Sequence, residues 1–94
     1  MDEWISKYLK RFIEDDYFGS MEAALKKESW VEAFKFSHSF KGLALNLGLD
    51  ALAKEGVELC EALRSGTPQG DVNSMLERVR VQYEKVKGAI LLLD

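Results

Sequence analysis

The chain has one histidine, His38, and one cysteine, Cys60, and among its acids Asp15 and Asp16 are adjacent. Of these, only His38 has partners at useful spacings. Lys41 follows at i+3, which on a helix sets an ammonium within reach of whatever the imidazole carries. Gly42 follows at i+4, one turn on and on the same face, where a missing side chain clears space beside the ring. A glycine inside a helix costs roughly 0.5–1 kcal/mol, so that space needs a reason. A nearby cation favours the neutral, nucleophilic form of an imidazole near pH 7 and stabilises an anion attached to it. Histidine, cation and cleared space together specify a phosphoryl carrier. The other groups point to no chemistry. Asp15 and Asp16 would diverge by about 100° on a helix and read as solvated surface. Cys60 falls in an apolar stripe and reads as an inert core thiol. There is no glycine-rich phosphate loop, no paired Cys/His spacing for a metal and no serine–histidine constellation.

The elements that must position His38 are helical. Apolar residues recur at three and four, and no alternating stretch bounded by turns suggests a strand. The lone proline, Pro68, lies in Ser65-Gly66-Thr67-Pro68-Gln69-Gly70, the one clear loop. A first segment runs from about Asp2 to Lys27, with Ile5, Leu9, Phe12 and Ile13 on a stripe that Met21, Ala24 and Leu25 resume. Gly19 makes a break near Asp15 to Gly19 reasonable, so this is one long helix or two. The second helix opens on Ser29-Trp30-Val31-Glu32, a capping-box pattern, and should run to about Leu47 and stop at Gly48. The third, about Asp50 to Ser65, carries Leu49, Leu52, Ala53, Gly56, Leu59, Cys60 and Leu63 on one face. The fourth, N-capped by Asp71, carries Val72, Met75, Leu76, Val79, Tyr83, Val86, Ile90 and Leu93. Trp4, Trp30 and Tyr83 read as packing residues, and Lys26-Lys27 suits a helix C-terminus. These stripes bury one another in an antiparallel four-helix bundle, all-α, with room for a short extra N-terminal helix.

Composition narrows the rest. The 94 residues are 47% hydrophobic and 31% charged, enough for one small domain spanning 1–94 and against general disorder. A net charge of −3 and a pI of about 5.2 leave no basic excess for nucleic acid. The longest apolar run, Ala89 to Leu93, is far too short for a membrane span, and MDEWISKYLK contains no apolar signal core. A single cysteine makes no internal disulfide, which fits a reducing, cytoplasmic setting.

The second helix has two apolar faces. Ala33, Phe36, Phe40, Leu43 and Leu47 form the expected core stripe. The opposite side holds Val31, Phe34, Lys35, His38, Lys41, Gly42 and Leu45. Either this helix is central and covered on both sides, or Phe34 and Leu45 are an exposed docking patch on either side of His38.

Ser37-His38-Ser39-Phe40-Lys41-Gly42, continued by Asn46-Leu47-Gly48 to Leu52, resembles the signature of histidine phosphotransfer (Hpt) domains. These are helical bundles that relay phosphoryl groups in two-component phosphorelays. The likeness extends upstream to Ala24-Leu25 and Glu28-Ser29-Trp30 and downstream to Leu59. It implies that His38 is the phosphoacceptor, through Nε2, and that Lys41 stands beside the phosphoryl oxygens. It implies further that Gly42 admits a partner receiver domain and that Gly48 turns the chain. Two residues depart from the family pattern. Leu45 is bulkier than the small residue often found there, and Cys60 falls where many members carry a glutamate that orients the imidazole. Glu58 and Glu61 are the nearest acids on that helix.

The resemblance implies a carrier without kinase activity of its own and without a cofactor or metal, the Mg²⁺ belonging to the partner. That partner would be a response-regulator receiver domain, a hybrid sensor kinase or both, and the carrier a monomer. The alternative is a module that keeps the Hpt fold for protein interaction and has lost phosphotransfer.

Overall fold

The structure is a computed structural model and describes residues 3–92, with side chains from Ser6 to Leu92. Five helices follow one another: α1 (Glu3–Glu14), α2 (Tyr17–Lys26), α3 (Trp30–Asn46), α4 (Asp50–Leu63) and α5 (Val72–Leu91). Helices α2 to α5 pack together as the four-helix bundle, each against its neighbour in sequence and α2 also against α5, while α1 lies along α5. The first segment is therefore two helices. The break falls at Asp16, whose backbone is left-handed (φ 49°, ψ 49°) and whose Oδ1 accepts from the Gly19 amide at 3.0 Å. Aspartate tolerates this conformation because its short carboxylate bonds locally. Gly19 leaves room for that carboxylate, since a Cβ there would collide with it. Asp16 thus does more than the solvated role its sequence suggested: it caps α2.

Two matching C-terminal motifs bracket α3. After α2, Glu28 is left-handed (φ 58°), its amide bonds the Leu25 carbonyl at 3.1 Å, and the Ser29 amide bonds the Ala24 carbonyl at 2.9 Å. After α3, Gly48 is left-handed (φ 74°), with the Gly48 and Leu49 amides bonding the Leu45 and Ala44 carbonyls at 3.1 and 2.9 Å. Both are Schellman closures. The first explains why the expected capping box does not form. The Ser29 amide is already taken by Ala24, so Glu32 has nothing to reach back to, and Glu32 pairs instead with Lys35 at 3.7 Å. The Ser29 side chain makes no cap bond either. At α5 the expected cap is present: Asp71 accepts from the Ser74 amide at 3.1 Å and from its hydroxyl at 2.7 Å.

The α4 stripe is buried as its spacing requires, with Leu49 at its edge, and so is most of the α5 stripe. Trp30 packs against the core. Ile5, Trp4 and Leu93 lie outside the described side chains. Phe12, Phe18, Phe40 and Tyr83 form the aromatic centre, where Phe18 and Tyr83 stack at 4.8 Å and 15°. Burial, then the charges of Asp16 and Glu84, push the Tyr83 phenol up to about 12. Arg80 ties α5 to α2 by pairing with Glu22 and lying 5.1 Å over the Phe18 ring. Among the described residues no helix is long and apolar enough to cross a membrane.

Candidate functional site

The face of α3 that meets the core is narrower than its hydrophobic pattern suggested, and slightly rotated. Its buried residues are Ala33, Ser37, Phe40 and Ala44, while Phe36, Leu43 and Leu47 are only partly buried against the core. The buried line at i, i+4, i+7 and i+11 uses small residues where α3 approaches its neighbours. Ser37 is fully buried and satisfies its hydroxyl by donating to the Phe34 carbonyl at 2.9 Å. With that side turned inward, His38 is exposed.

Helix α4 runs antiparallel to α3 and fixes the surroundings of His38. Gly56 is the close-approach point: a Cβ there would stand 3.4 Å from the Lys41 Cβ and 3.5 Å from the Phe40 Cδ1. The backbone of Lys41 is therefore held against α4, and the residue is half-buried. Gly42, next along, faces open space: apart from its own stretch of helix backbone, nothing lies within 4 Å of where its Cβ would be. Leu45, the following position on this side, is 54% exposed.

Phe34 is where the two sequence readings divide. It is not a free apolar residue but half-buried and packed against the core. Its ring lies 6.0 Å from the imidazole at a 35° tilt, and the Arg64 guanidinium lies 5.6 Å over it. Of the two, Leu45 is exposed apolar surface, and Phe34 is covered by Arg64 at the end of α4. Arg64 and its partner Glu61 are residues that the α3 spacing did not reveal. The guanidinium forks on the carboxylate, Nε to Oε2 at 3.0 Å and Nη2 to Oε1 at 2.6 Å. That hydrogen bonding holds the Glu61 carboxyl below its ordinary range, helped by the charges of Arg64 and Lys41 and opposed by slight desolvation. The signal was available as register. Lys41 is seven residues before Gly48 and Gly56 eight after it; Phe34 and Arg64 are fourteen before and sixteen after. A helical hairpin turning at Gly48 brings both pairs together.

A family model for the Hpt domain matches residues 7–89, most of the chain. The protein belongs to the Hpt domain family. No curated protein and no solved structure matches it. Membership carries a phosphotransfer role in a phosphorelay, and receiver domains are the typical partners of Hpt domains.

In this Hpt domain the acids nearest Cys60 on α4 are already engaged. Cys60 is fully buried in the α4 stripe. Glu58 turns toward α5, where with Glu55 it meets Arg78 at 3.8 and 3.4 Å, and Glu61 is held by Arg64. No group of acids, cysteines and histidines able to hold a metal occurs among the described residues.

Proposed function

We propose that His38 accepts the phosphoryl group and exchanges it with the aspartate of a receiver domain. The observation that carries this reading is the exposed imidazole, with Lys41 at i+3 and open space at Gly42 one turn on. In the forward step a ring nitrogen attacks phosphorus, the N–P bond forms, and the acyl P–O bond of the receiver's aspartyl phosphate breaks. The carboxylate leaves with the electron pair, so the receiver recovers its aspartate and the domain carries the phosphoryl group. The reverse step returns it. Lys41 lies where its ammonium can neutralise charge on the phosphoryl oxygens in both directions. Gly42 removes the bulk that would hold a receiver away from the ring, and Leu45 supplies apolar contact beside it. Mg²⁺ belongs to the receiver side, where it would neutralise the same oxygens. Residues 1–94 act as one domain and supply no kinase activity.

The test is to incubate the chain with the ³²P-labelled aspartyl-phosphate forms of the receiver domains encoded in the same genome. Acid-labile, base-stable label should appear on the wild type and be absent from His38→Gln, with both proteins melting alike because the site is on the surface. Residual acid-labile label on His38→Gln would refute the assignment. Receiver binding without any label on the wild type would favour an interaction module that has lost transfer, the reading that buried Cys60 in place of an orienting glutamate would support.

A further inference from the structure

Arg64 and Glu61 form a second charged element on the face that carries His38. Their side chains are 53% and 54% exposed, so they stand at the rim of this surface and not beneath it. The guanidinium has two restraints of different kinds, the Phe34 ring 5.6 Å below it and the forked carboxylate of Glu61 beside it. Phe34 lies 6.0 Å from the imidazole, so the pair borders the place a docking partner must occupy. Two neighbouring carboxylates have cations of their own: Glu58 pairs with Arg78 and Glu32 with Lys35. Arg64 is thus the planar, bidentate cation of the face, and Lys35 and Lys41 are its point charges.

We infer that Arg64 is a specificity-determining residue for receiver docking, a fork for a carboxylate that the receiver presents at the edge of its contact surface, and that Glu61 is the intramolecular occupant which that carboxylate displaces. The inference rests on the phosphotransfer reading above. Three physical points support it. An exposed ion pair three residues apart on a helix is worth little in water, so the exchange is cheap. The Phe34 face keeps the guanidinium in place when Glu61 lets go, which preserves the fork for the incoming acid. Docking then removes water from the new pair and strengthens it relative to the old one. Glu61 sets a threshold: a partner with no carboxylate at this point meets an arginine already neutralised and gains nothing from it.

The experiment titrates binding of the same receiver domains to the chain in a His38→Gln background, where no transfer contributes, alongside a melting curve for each variant. Arg64→Ala should weaken binding about three- to tenfold, and Arg64→Lys, which keeps charge without the fork, should lose most of the same factor. Glu61→Gln should tighten binding about two- to fivefold at low salt, with the gain fading as ionic strength rises. Glu61→Gln combined with Arg64→Ala should lose most of the gain that Glu61→Gln gives alone, keeping only what relief of the nearby Lys41 charge supplies. Unchanged affinity in Arg64→Ala, or a Glu61→Gln gain that survives loss of Arg64 undiminished, would overturn the inference while leaving labelling of His38 intact. If no receiver binds or labels the wild type, the phosphotransfer reading itself fails, and this inference with it.

Discussion

Leucine in place of Gly42 separates a docking role for the cleared space from a packing role, because the two give opposite signs. Apart from its own stretch of helix backbone, nothing lies within 4 Å of the position a Cβ would take at Gly42, so an added side chain starts into open space. Replacing a glycine inside α3 with a good helix former should then stabilise the fold by about 0.5–1 kcal/mol. For a domain of this length, 1 kcal/mol moves the melting temperature by about 4–8 °C, so the variant should melt about 2–8 °C higher. The same leucine stands one turn from the imidazole, in the path of a receiver. In-line transfer needs the attacking nitrogen within about 3–3.5 Å of phosphorus, and a displacement of 1 Å can cost about a hundredfold, so transfer should fall by about that factor or more. Gly56 is the internal control. A Cβ there is already in contact with Lys41 and Phe40, so Gly56→Leu should overpack the α3–α4 interface and cost about 1–3 kcal/mol. Differential scanning calorimetry and the rate of label transfer from a phosphorylated receiver read both effects. A lowered melting temperature for Gly42→Leu, or transfer at the wild-type rate, would refute the reasoning.

Three further outcomes are expected. Lys41→Ala keeps the Cβ that faces Gly56, so it should melt like the wild type yet slow phosphotransfer or shorten the life of the phosphohistidine; equal rates would make Lys41 a bystander. Asp16→Ala removes the cap on Gly19 and places alanine in a left-handed conformation, which together should cost about 1–3 kcal/mol by thermal melt, whereas Asp16→Asn, able to do both jobs, should lose little; equal losses would mean that the capping geometry is unimportant. Tyr83 binds its proton more tightly when folded, with its pKa pushed up to about 12 from 10.0, so above pH 10 the unfolded chain releases a proton that the native state retains. Stability should therefore fall as pH rises from about 10 to about 12, and Tyr83→Phe should flatten that slope in a pH series of melts; an unchanged slope would show that Tyr83 does not supply it.

Where the sequence misled, one kind of signal outweighed another in the folded chain. Gly48 was legible as the stop of α3 because glycine advertises a left-handed closure. Glu28 makes the same closure before α3 under a residue type that hides it, and the capping box read at Ser29 failed for that reason: its amide was already spent on Ala24. Hydrophobicity placed Phe36, Leu43 and Leu47 on the core face beside Ala33 and Phe40, whereas close approach added Ser37 and Ala44 in their stead, since small side chains let helix axes come together. Phe18 escaped notice because it belongs to a stripe that begins only once the chain breaks at Asp16. His38, Lys41 and Gly42 were legible because all three sit on one helix at fixed spacing. Arg64 and Glu61 come from another helix, and only the register of the α3–α4 hairpin brings them to the same face.

The left-handed residues at Glu28 and Gly48 turn α3 into a segment of set phase. With the closure of α2 immediately before it and its own closure at its end, the helix can roll to compensate for a change in residue count only by breaking one of them. Each residue advances the azimuth by about 100°, so deleting Ser39 would shift Lys41 from i+3 to i+2 of His38 and carry its ammonium to the far side of the helix. The residues after the deletion would also present the wrong side to Gly56, and the close approach to α4 would be lost. Such a chain would keep its net charge and nearly all its composition, and it would no longer hold imidazole and cation on one side.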